Sequence, residues 1–343
     1  MKKTKALLTL VLSSSLLISS CSWIQKGLTF KIITFKGGDS YPFLSYADDT
    51  DNCAFVTSSL VYDAFFTSEY DFILYDLAKG IELIQNKNVP FKLARVTGCG
   101  NAYVIKRGEV ADGEAISSFD NVISYDYAYS RYDTHTYTSM GIQNSLFIKN
   151  NAINNNAIDT FYDDVKDTYN HFISGEGDYA ILNEPYVSRL LNDKNGNYHL
   201  FQNLVSTFCS VETDYARVPS IGLFISNRLE NAKEGPLKDA RENFLISIDK
   251  NLSDLSQSNG NATSSIIKNY YDDKKIDLID YFGAEYGDIC DCLNGNKNPN
   301  GVNALGFCSY TLDLDSFARV NNLRRLNVFV DSIAPSVYSS FYK

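Results

Sequence analysis

Two segments of this chain read alike when they are laid over each other at an offset of 107. Tyr62 meets Tyr169, Phe65 meets Phe172, Glu69 meets Glu176, Asp71 meets Asp178, Leu74 meets Ile181 and Leu83 meets Leu190. Each copy runs helix pattern, acidic turn, short apolar run, polar residue, helix pattern. The apolar runs, DFILY and DYAIL, are short and continuous, as buried strands of α/β sheets are. βα units resemble one another by physics alone, but matches at a single offset fit two similar lobes, each built around its own sheet. In open α/β sheets ligands bind beyond the carboxyl ends of the strands. Tyr75-Asp76 and Asn183-Glu184 stand at those ends. Each pair either lines a cleft between two lobes or caps the helix that follows.

The rest of the chain alternates in the same way. FKIITF is β-rich and ends at Gly37-Gly38-Asp39-Ser40-Tyr41-Pro42. Glycines there let backbone N–H groups approach a ligand; the plainer reading is a turn. SSLVYDAFF has helical spacing, with Ser58 and Ser59 at its start as ligand contacts or caps. FKLARVT and NAYVIKR are strands around Gly98-Cys99-Gly100-Asn101, which is either a cleft loop or a hairpin-like turn. NVISYDYAYS alternates Tyr125, Tyr127 and Tyr129 on one face. SIGLFIS is a further strand. From about Asn231 the pattern is mostly helical and polar. IKNNAINNNAID reads as an Asn-rich surface loop, and no solenoid-type tandem repeat occurs. The alternation argues for an α/β fold with parallel sheets.

The segment after Tyr125 carries the sharpest recognition groups. Arg131 offers a planar guanidinium for a carboxylate, sulfonate or phosphate. Tyr129 and Tyr132 can sandwich a flat ring, with Ser130 between them. Against this stands an ordinary surface Arg on a Tyr-rich strand. Enzyme signatures are absent from the sequence. Its 3 histidines form no H-E-x-x-H, and no G-x-S-x-G or P-loop is present. Cys99, between two glycines, has no evident partner base. No catalytic residue, cofactor or metal is expected.

The beginning of the chain reads MKKTKALLTLVLSSSLLISSCSW. Three lysines precede an apolar stretch that ends at Ser20, short of the roughly 20 residues a spanning helix needs. A secretory signal over residues 1–20 is expected. Ile18-Ser19-Ser20-Cys21 resembles the lipobox of bacterial lipoproteins, which implies acyl chains on Cys21 and anchoring at the outer face of the membrane. The formal charge is -10, and loss of the three lysines makes it more negative. An acidic surface disfavours nucleic acid. No other apolar run approaches a span, so a soluble body tethered at one end is expected. Roughly 320 residues would remain, enough for two lobes. Six cysteines follow Cys21: Cys53, Cys99, Cys209, Cys290, Cys292 and Cys308. A disulfide from Cys290 or Cys292 across the Asn/Gly/Pro-rich loop to Cys308 suits an oxidising compartment. The spacing does not suit zinc.

YDFILYDLAKGIELIQNKNVPFKLARVTGCGNAYVIKRGE, ISGEGDYAILNEPYVSRLL and VPSIGLFIS, in that order, resemble the substrate-binding lipoproteins of ABC importers, in the branch of nitrate, sulfonate and thiamine-precursor binders. The resemblance covers most of residues 30–227. It implies a two-lobed type II periplasmic-binding-like fold: two mainly parallel sheets flanked by helices, with an interlobe cleft. Residues 21–27 would be a linker from the anchor, 28–114 and 217–343 lobe 1, and 115–216 lobe 2. It implies a small organic solute in the cleft and delivery to an ABC permease, with the ATPase engaged indirectly. The implied contacts are Asp39, Ser40, Tyr41, Ser58, Tyr75, Asp76, Asn101, Tyr129, Ser130, Arg131, Asn183 and Glu184. A surface adhesin or structural lipoprotein, and a same-fold enzyme of cofactor biosynthesis, are the alternatives. The signal segment argues against the enzyme, because those enzymes work inside the cell.

Overall fold

The doubled segment builds the same strand in two separate sheets. The computed structural model describes residues 30–47, 49, 51–98, 101–116, 121–125, 158–162, 164–204, 220–257 and 307–310. The first sheet contains β1 (Ile32–Phe35), β2 (Cys53–Val56), β3 (Phe72–Asp76), β4 (Phe91–Gly98), β10 (Ile221–Ser226) and β11 (Phe307–Tyr310), in the order β11-β4-β10-β3-β1-β2. The second contains β5 (Tyr103–Arg107), β6 (Val122–Tyr125), β7 (Ile158–Tyr162), β8 (Tyr179–Leu182) and β9 (Tyr198–Asn203), in the order β7-β6-β8-β5-β9.

Apart from β11, the two orders are the same design. β1 lies parallel between β2 and β3, and β6 lies parallel between β7 and β8. An antiparallel strand then enters, β10 in one sheet and β5 in the other. Phe72 of β3 pairs with Ile32, and Tyr179 of β8 pairs with Val122. Phe72 and Tyr179 are 107 apart, the offset of the sequence repeat. DFILY and DYAIL therefore occupy matching positions in two lobes.

Two expectations are corrected here. The sheets are mixed, not mainly parallel, because β5 and β10 each run antiparallel to both neighbours. The first crossover was expected after residue 114. β5 already pairs with β8 and β9, so the chain has entered the second sheet by Tyr103. An alternating apolar strand looks the same from either lobe; only its pairing tells which sheet it joins. The same pairing removes the hairpin reading of residues 98–101, since β4 and β5 belong to different sheets.

Helices cover the sheets where the apolar pattern demands it. α1 (Ser58–Ala64) follows β2, and α2 (Leu77–Asn86) follows β3. Gly80 of α2 lies directly on the Phe224 ring: a Cβ there would sit 2.2 Å from it. That absence of a side chain sets how closely α2 rests on β10. In the second lobe α3 (Val165–Ile173) starts at Asp164, whose carboxylate accepts from the Asp167 N–H, and α4 (Tyr186–Asn192) follows β8. α5 (Asn227–Glu230) is a single turn after β10, and α6 (Pro236–Gln257) is the long helix.

The helical tail braces the first lobe. Phe244 of α6 packs its ring against Phe30, Phe43, Tyr46 and Phe72, with centroids 4.4–6.3 Å away. Asp249 accepts from the Arg95 guanidinium at 2.9 Å. No helix among the described residues is long and apolar enough to cross a membrane. Residues 1–29, with Cys21, lie outside the described residues, as do Cys99, Cys209, Cys290 and Cys292. The expected disulfide is therefore outside them too. Cys53 of β2 is buried.

Candidate functional site

The carboxyl ends of β1, β3 and β4 lie along one edge of the first sheet. Asp76 of β3 pairs with Ile221, which pairs with Gly98 of β4. β1 is parallel to β3, so Phe35 ends on the same side. In the second sheet the carboxyl end of β8 meets Asn101. Asn101 Oδ1 accepts from the Glu184 N–H at 2.8 Å, and its Nδ2 donates to the Glu184 carbonyl at 3.4 Å. The Asn101 side chain thus pairs with Glu184 as a peptide unit would. Gly98 is three residues before Asn101, so at most about 11 Å separates them. The two carboxyl edges therefore flank one crossover.

On the first lobe, β1 leads into a 3₁₀ helix (Gly38–Tyr46). Gly37 enters it at φ 149°, a conformation that favours glycine. The Ser40 hydroxyl lies 2.7 Å from Thr34 Oγ1 and donates to the Phe35 carbonyl. Asn251 of α6 donates to the Pro42 carbonyl at 2.8 Å, and Tyr46 Oη donates to Ser247 Oγ at 3.0 Å. These bonds hold the segment from both sides. Asp39 sits in its first turn, only 5% exposed. Burial pushes its carboxyl up to about 7, partly opposed by a hydrogen bond from its own backbone N–H. Tyr41 is buried beside it in sequence.

The remaining expected residues divide by what their side chains do. Asp76 accepts from the Lys79 N–H at 2.9 Å and caps α2. Tyr75 is buried with its ring edge-on to Phe65, 5.6 Å between centroids. Ser58 is buried in the first turn of α1, whose cap is Thr57. Glu184 is fully buried; its carboxylate accepts from Ser188 N–H at 2.9 Å and Ser188 Oγ at 3.0 Å, inside α4. Asn183 is buried one residue earlier. The edges thus bring Asp39, Asp76 and Ser58 together on one lobe and Asn101, Asn183 and Glu184 on the other. Tyr129, Ser130, Arg131 and Tyr132 lie outside the described residues.

One group at this edge escaped the sequence reading. Between Gly98, opposite Ile221, and Val96, opposite Gly222, Thr97 is the extra residue of a β-bulge. Bulges re-aim side chains and gather near sites. Thr97 is buried, and its Oγ1 has no hydrogen-bond partner among the described residues. Nothing in the sequence signals this beyond its place beside Gly98.

No protein-family model matches the sequence, and no curated protein sequence matches it. Solved structures do match its fold. An ABC transporter protein from Parabacteroides distasonis superposes with a TM-score of 0.60 at 10% identity, over 91% of this chain and 95% of that one. The periplasmic nitrate-binding protein NrtA from Synechocystis PCC 6803 gives a TM-score of 0.60 at 9% identity, over 92% and 86%. The ligand-binding component of an ABC-type import system from Staphylococcus aureus, solved with zinc bound, gives 0.59 at 11%, over 90% and 97%. At such identities the likeness is one of fold: the chain has the two-lobed α/β fold of ABC-importer substrate-binding proteins.

Proposed function

We propose that this chain is the solute-binding component of an ABC importer, held at the outer face of the membrane by acyl chains on Cys21. One observation carries the reading: two sheets of one design, whose carboxyl edges meet across the crossover at Asn101. Such a body closes about its crossovers when a solute bridges the two edges. No catalytic step belongs to this reading. The chain would sample open and closed forms, and the closed, loaded form would dock on a permease.

The solute contacts we propose are Asp39 and Tyr41 on the first lobe and Asn183 on the second, with Thr97 added at the crossover. Tyr129, Ser130 and Arg131 complete the second lobe's contribution in this reading. Ser40, Ser58, Tyr75, Asp76, Asn101 and Glu184 shape the edges, since most of their polar groups already serve the turns and helices described above. A thermal-shift screen of vitamins, sulfonates, amino acids and nucleobases tests the receptor reading. A solute at about 100 times its Kd stabilises the folded protein by roughly 2.7 kcal/mol. Turnover of a compound with Cys99 essential would replace the reading with an enzyme. The anchor has its own test: Cys21→Ser should release the protein from the membrane fraction, and unchanged membrane association would remove that part.

A further inference from the structure

Asn101, on the crossover between the lobes, commits three polar groups to the second lobe. Its Oδ1 accepts from the Glu184 N–H at 2.8 Å, its Nδ2 donates to the Glu184 carbonyl at 3.4 Å, and its own carbonyl accepts from Tyr125 Oη at 3.4 Å. All three residues are buried. Tyr125 is the last residue of β6, and Glu184 stands two residues beyond the end of β8. A single crossover residue therefore joins the carboxyl ends of two neighbouring strands.

Those two strands mark a particular place. In the order β7-β6-β8-β5-β9, the chain leaves β6 toward β7 and leaves β8 toward β9, in opposite directions. Where neighbouring strands diverge in this way a crevice opens beyond their carboxyl ends, and ligands of open α/β sheets bind there. Asn101 straddles that switch point.

The first-lobe end of the same crossover is tied down as well. The Gly98 carbonyl accepts from the Ser220 N–H at 2.8 Å, and the Ser220 carbonyl accepts from the Leu77 N–H at 2.9 Å. Leu77 directly follows Asp76, the end of β3. β3 and β1 diverge in the first sheet as β8 and β6 do in the second. Just past Asn101, the Ala102 carbonyl accepts from the Leu204 N–H at 3.1 Å and ties the chain leaving β9 to the same crossover. A path of hydrogen bonds thus runs from Leu77 through Ser220 to Gly98, along three residues of chain, and from Asn101 to Glu184 and Tyr125. Coupling between distant groups travels through contiguous networks of this kind. Apart from the Asn101 side chain and the Tyr125 hydroxyl, the path is main chain to main chain.

Resting on the receptor reading for what this edge binds, we infer that Asn101 is a positioning residue that couples the crossover to the solute site. It fixes the Asn183–Glu184 peptide, which carries the proposed contact Asn183, and links it to the edge of the first lobe. A change in the crossover is then felt at the second lobe's switch point, and a solute seated there is felt at Leu77.

Amide hydrogen exchange on the purified full-length protein tests the link without any solute. Asn101→Ala is compared with Ser188→Ala, which removes the Ser188 Oγ bond to the Glu184 carboxylate at 3.0 Å and leaves the path intact. Asn101→Ala should speed exchange about tenfold or more at Glu184 and also at Ser220 and Leu77 on the other lobe. Ser188→Ala should speed it only around the start of α4. Faster exchange confined to the second lobe in Asn101→Ala, or reaching Ser220 and Leu77 equally in Ser188→Ala, overturns the inference. If Asn101→Ala does not fold, Tyr125→Phe takes its place, with the same expected pattern at smaller size and the same overturning results. The second arm measures affinity, with nitrate, ethanesulfonate, cytosine and thiamine as probes. The probe that raises the native melting temperature most should bind Asn101→Ala about tenfold more weakly. Asn101→Ala should add little further loss in an Asn183→Ala background, because a residue acting through another is not additive with it. Equal affinity of the native protein and Asn101→Ala, or fully additive losses, also overturns the inference. If neither these probes nor the wider solute screen moves the native melting temperature, the receptor reading falls, while the exchange comparison still decides the link.

Discussion

Asp71 and Asp178 make the same set of backbone bonds in two different sheets. Asp71 N–H donates to the Lys31 carbonyl at 2.8 Å, and Asp178 N–H donates to the Asn121 carbonyl at 2.9 Å. Each carboxylate accepts from the N–H of that same residue, at 3.4 Å and 3.3 Å. Each carbonyl accepts from the last residue of the incoming antiparallel strand, Ser226 of β10 in one case and Arg107 of β5 in the other. The repeated Glu-x-Asp turn is thus the corner that registers three strands in each lobe. What surrounds the two carboxylates differs. Asp71 is buried and also receives Ser226 Oγ at 2.8 Å and Arg228 Nε at 3.1 Å. Asp178 is exposed. In the second lobe Arg107 turns instead to the Phe172 carbonyl and lies over the Phe172 ring, 4.7 Å from its centroid.

That difference predicts unequal costs. Asp71→Ala leaves Ser226 and a backbone N–H without their buried acceptor and should cost about 2–3 kcal/mol. Asp178→Ala removes an exposed acceptor and should cost about 1 kcal/mol or less. Urea unfolding of the two variants measures this; equal losses would mean that the corner does not depend on the buried bonds.

Gly80 should not tolerate a side chain. Its Cβ would enter the Phe224 ring, which is itself fully buried and packed edge-on to Phe65. Gly80→Val should destabilise the protein by about 2 kcal/mol or more through overpacking against Phe224, which outweighs the small gain in helix propensity over glycine. Wild-type stability in that variant would show that α2 can lift from β10 without loss.

The tail helix should matter to the site as well as to stability. Phe244→Ala opens a hole among Phe30, Phe43, Tyr46 and Phe72 and should cost about 3–5 kcal/mol. Asn251→Ala is milder: it frees the Pro42 carbonyl and should lower stability by about 1 kcal/mol. Because that bond braces the segment carrying Asp39, it should also weaken solute binding. Calorimetry on Asn251→Ala checks this, and unchanged affinity would detach α6 from the site.

Two carboxyls give the pH dependence opposite signs. Hydrogen bonds from Lys106, the Ala111 N–H and Tyr179 hold Glu114 down at about 2, against an ordinary 4.5. Its contribution is present above pH 4.5 and is lost as the pH falls toward 2. Asp39 is raised by burial from 3.8 to about 7. The folded state keeps its proton longer than the unfolded chain does, so stability declines as pH rises from about 4 to 7 and is level above. The full shift corresponds to something on the order of 4 kcal/mol. Asp39→Asn should flatten the decline between pH 4 and 7 and leave the acid limb intact; a decline that persists would place its origin elsewhere.

Much of the architecture is legible in the sequence because it is local and repeated. The strand, the acidic corner and the following helix occur twice, and period and spacing report them. The two matching β-strands stand where the offset puts them. The lobe boundary is not legible, because β5 has the same alternating pattern whether it pairs with β4 or crosses to β8; partner choice is a non-local property. The role of α6 is hidden for the same reason: Phe244 looks like one aromatic in a polar helix until Phe30 and Phe72 are brought beneath it. At the site, residue type marks positions but not use. Asp39 and Asp76 read alike in the sequence, yet Asp76 caps a helix through the Lys79 N–H and Asp39 is buried in a 3₁₀ turn. Thr97 gives no signal, because a bulge is a matter of register.

In the proposed function a solute binds between the two lobes and closes them. Small-angle X-ray scattering on the purified protein, titrated with the probe that gives the largest thermal shift, tests it most directly. One binding event per chain and a saturable fall in the radius of gyration, with the same midpoint as the calorimetric titration, are expected. A probe that binds with that stoichiometry while the radius of gyration stays constant through saturation would contradict it.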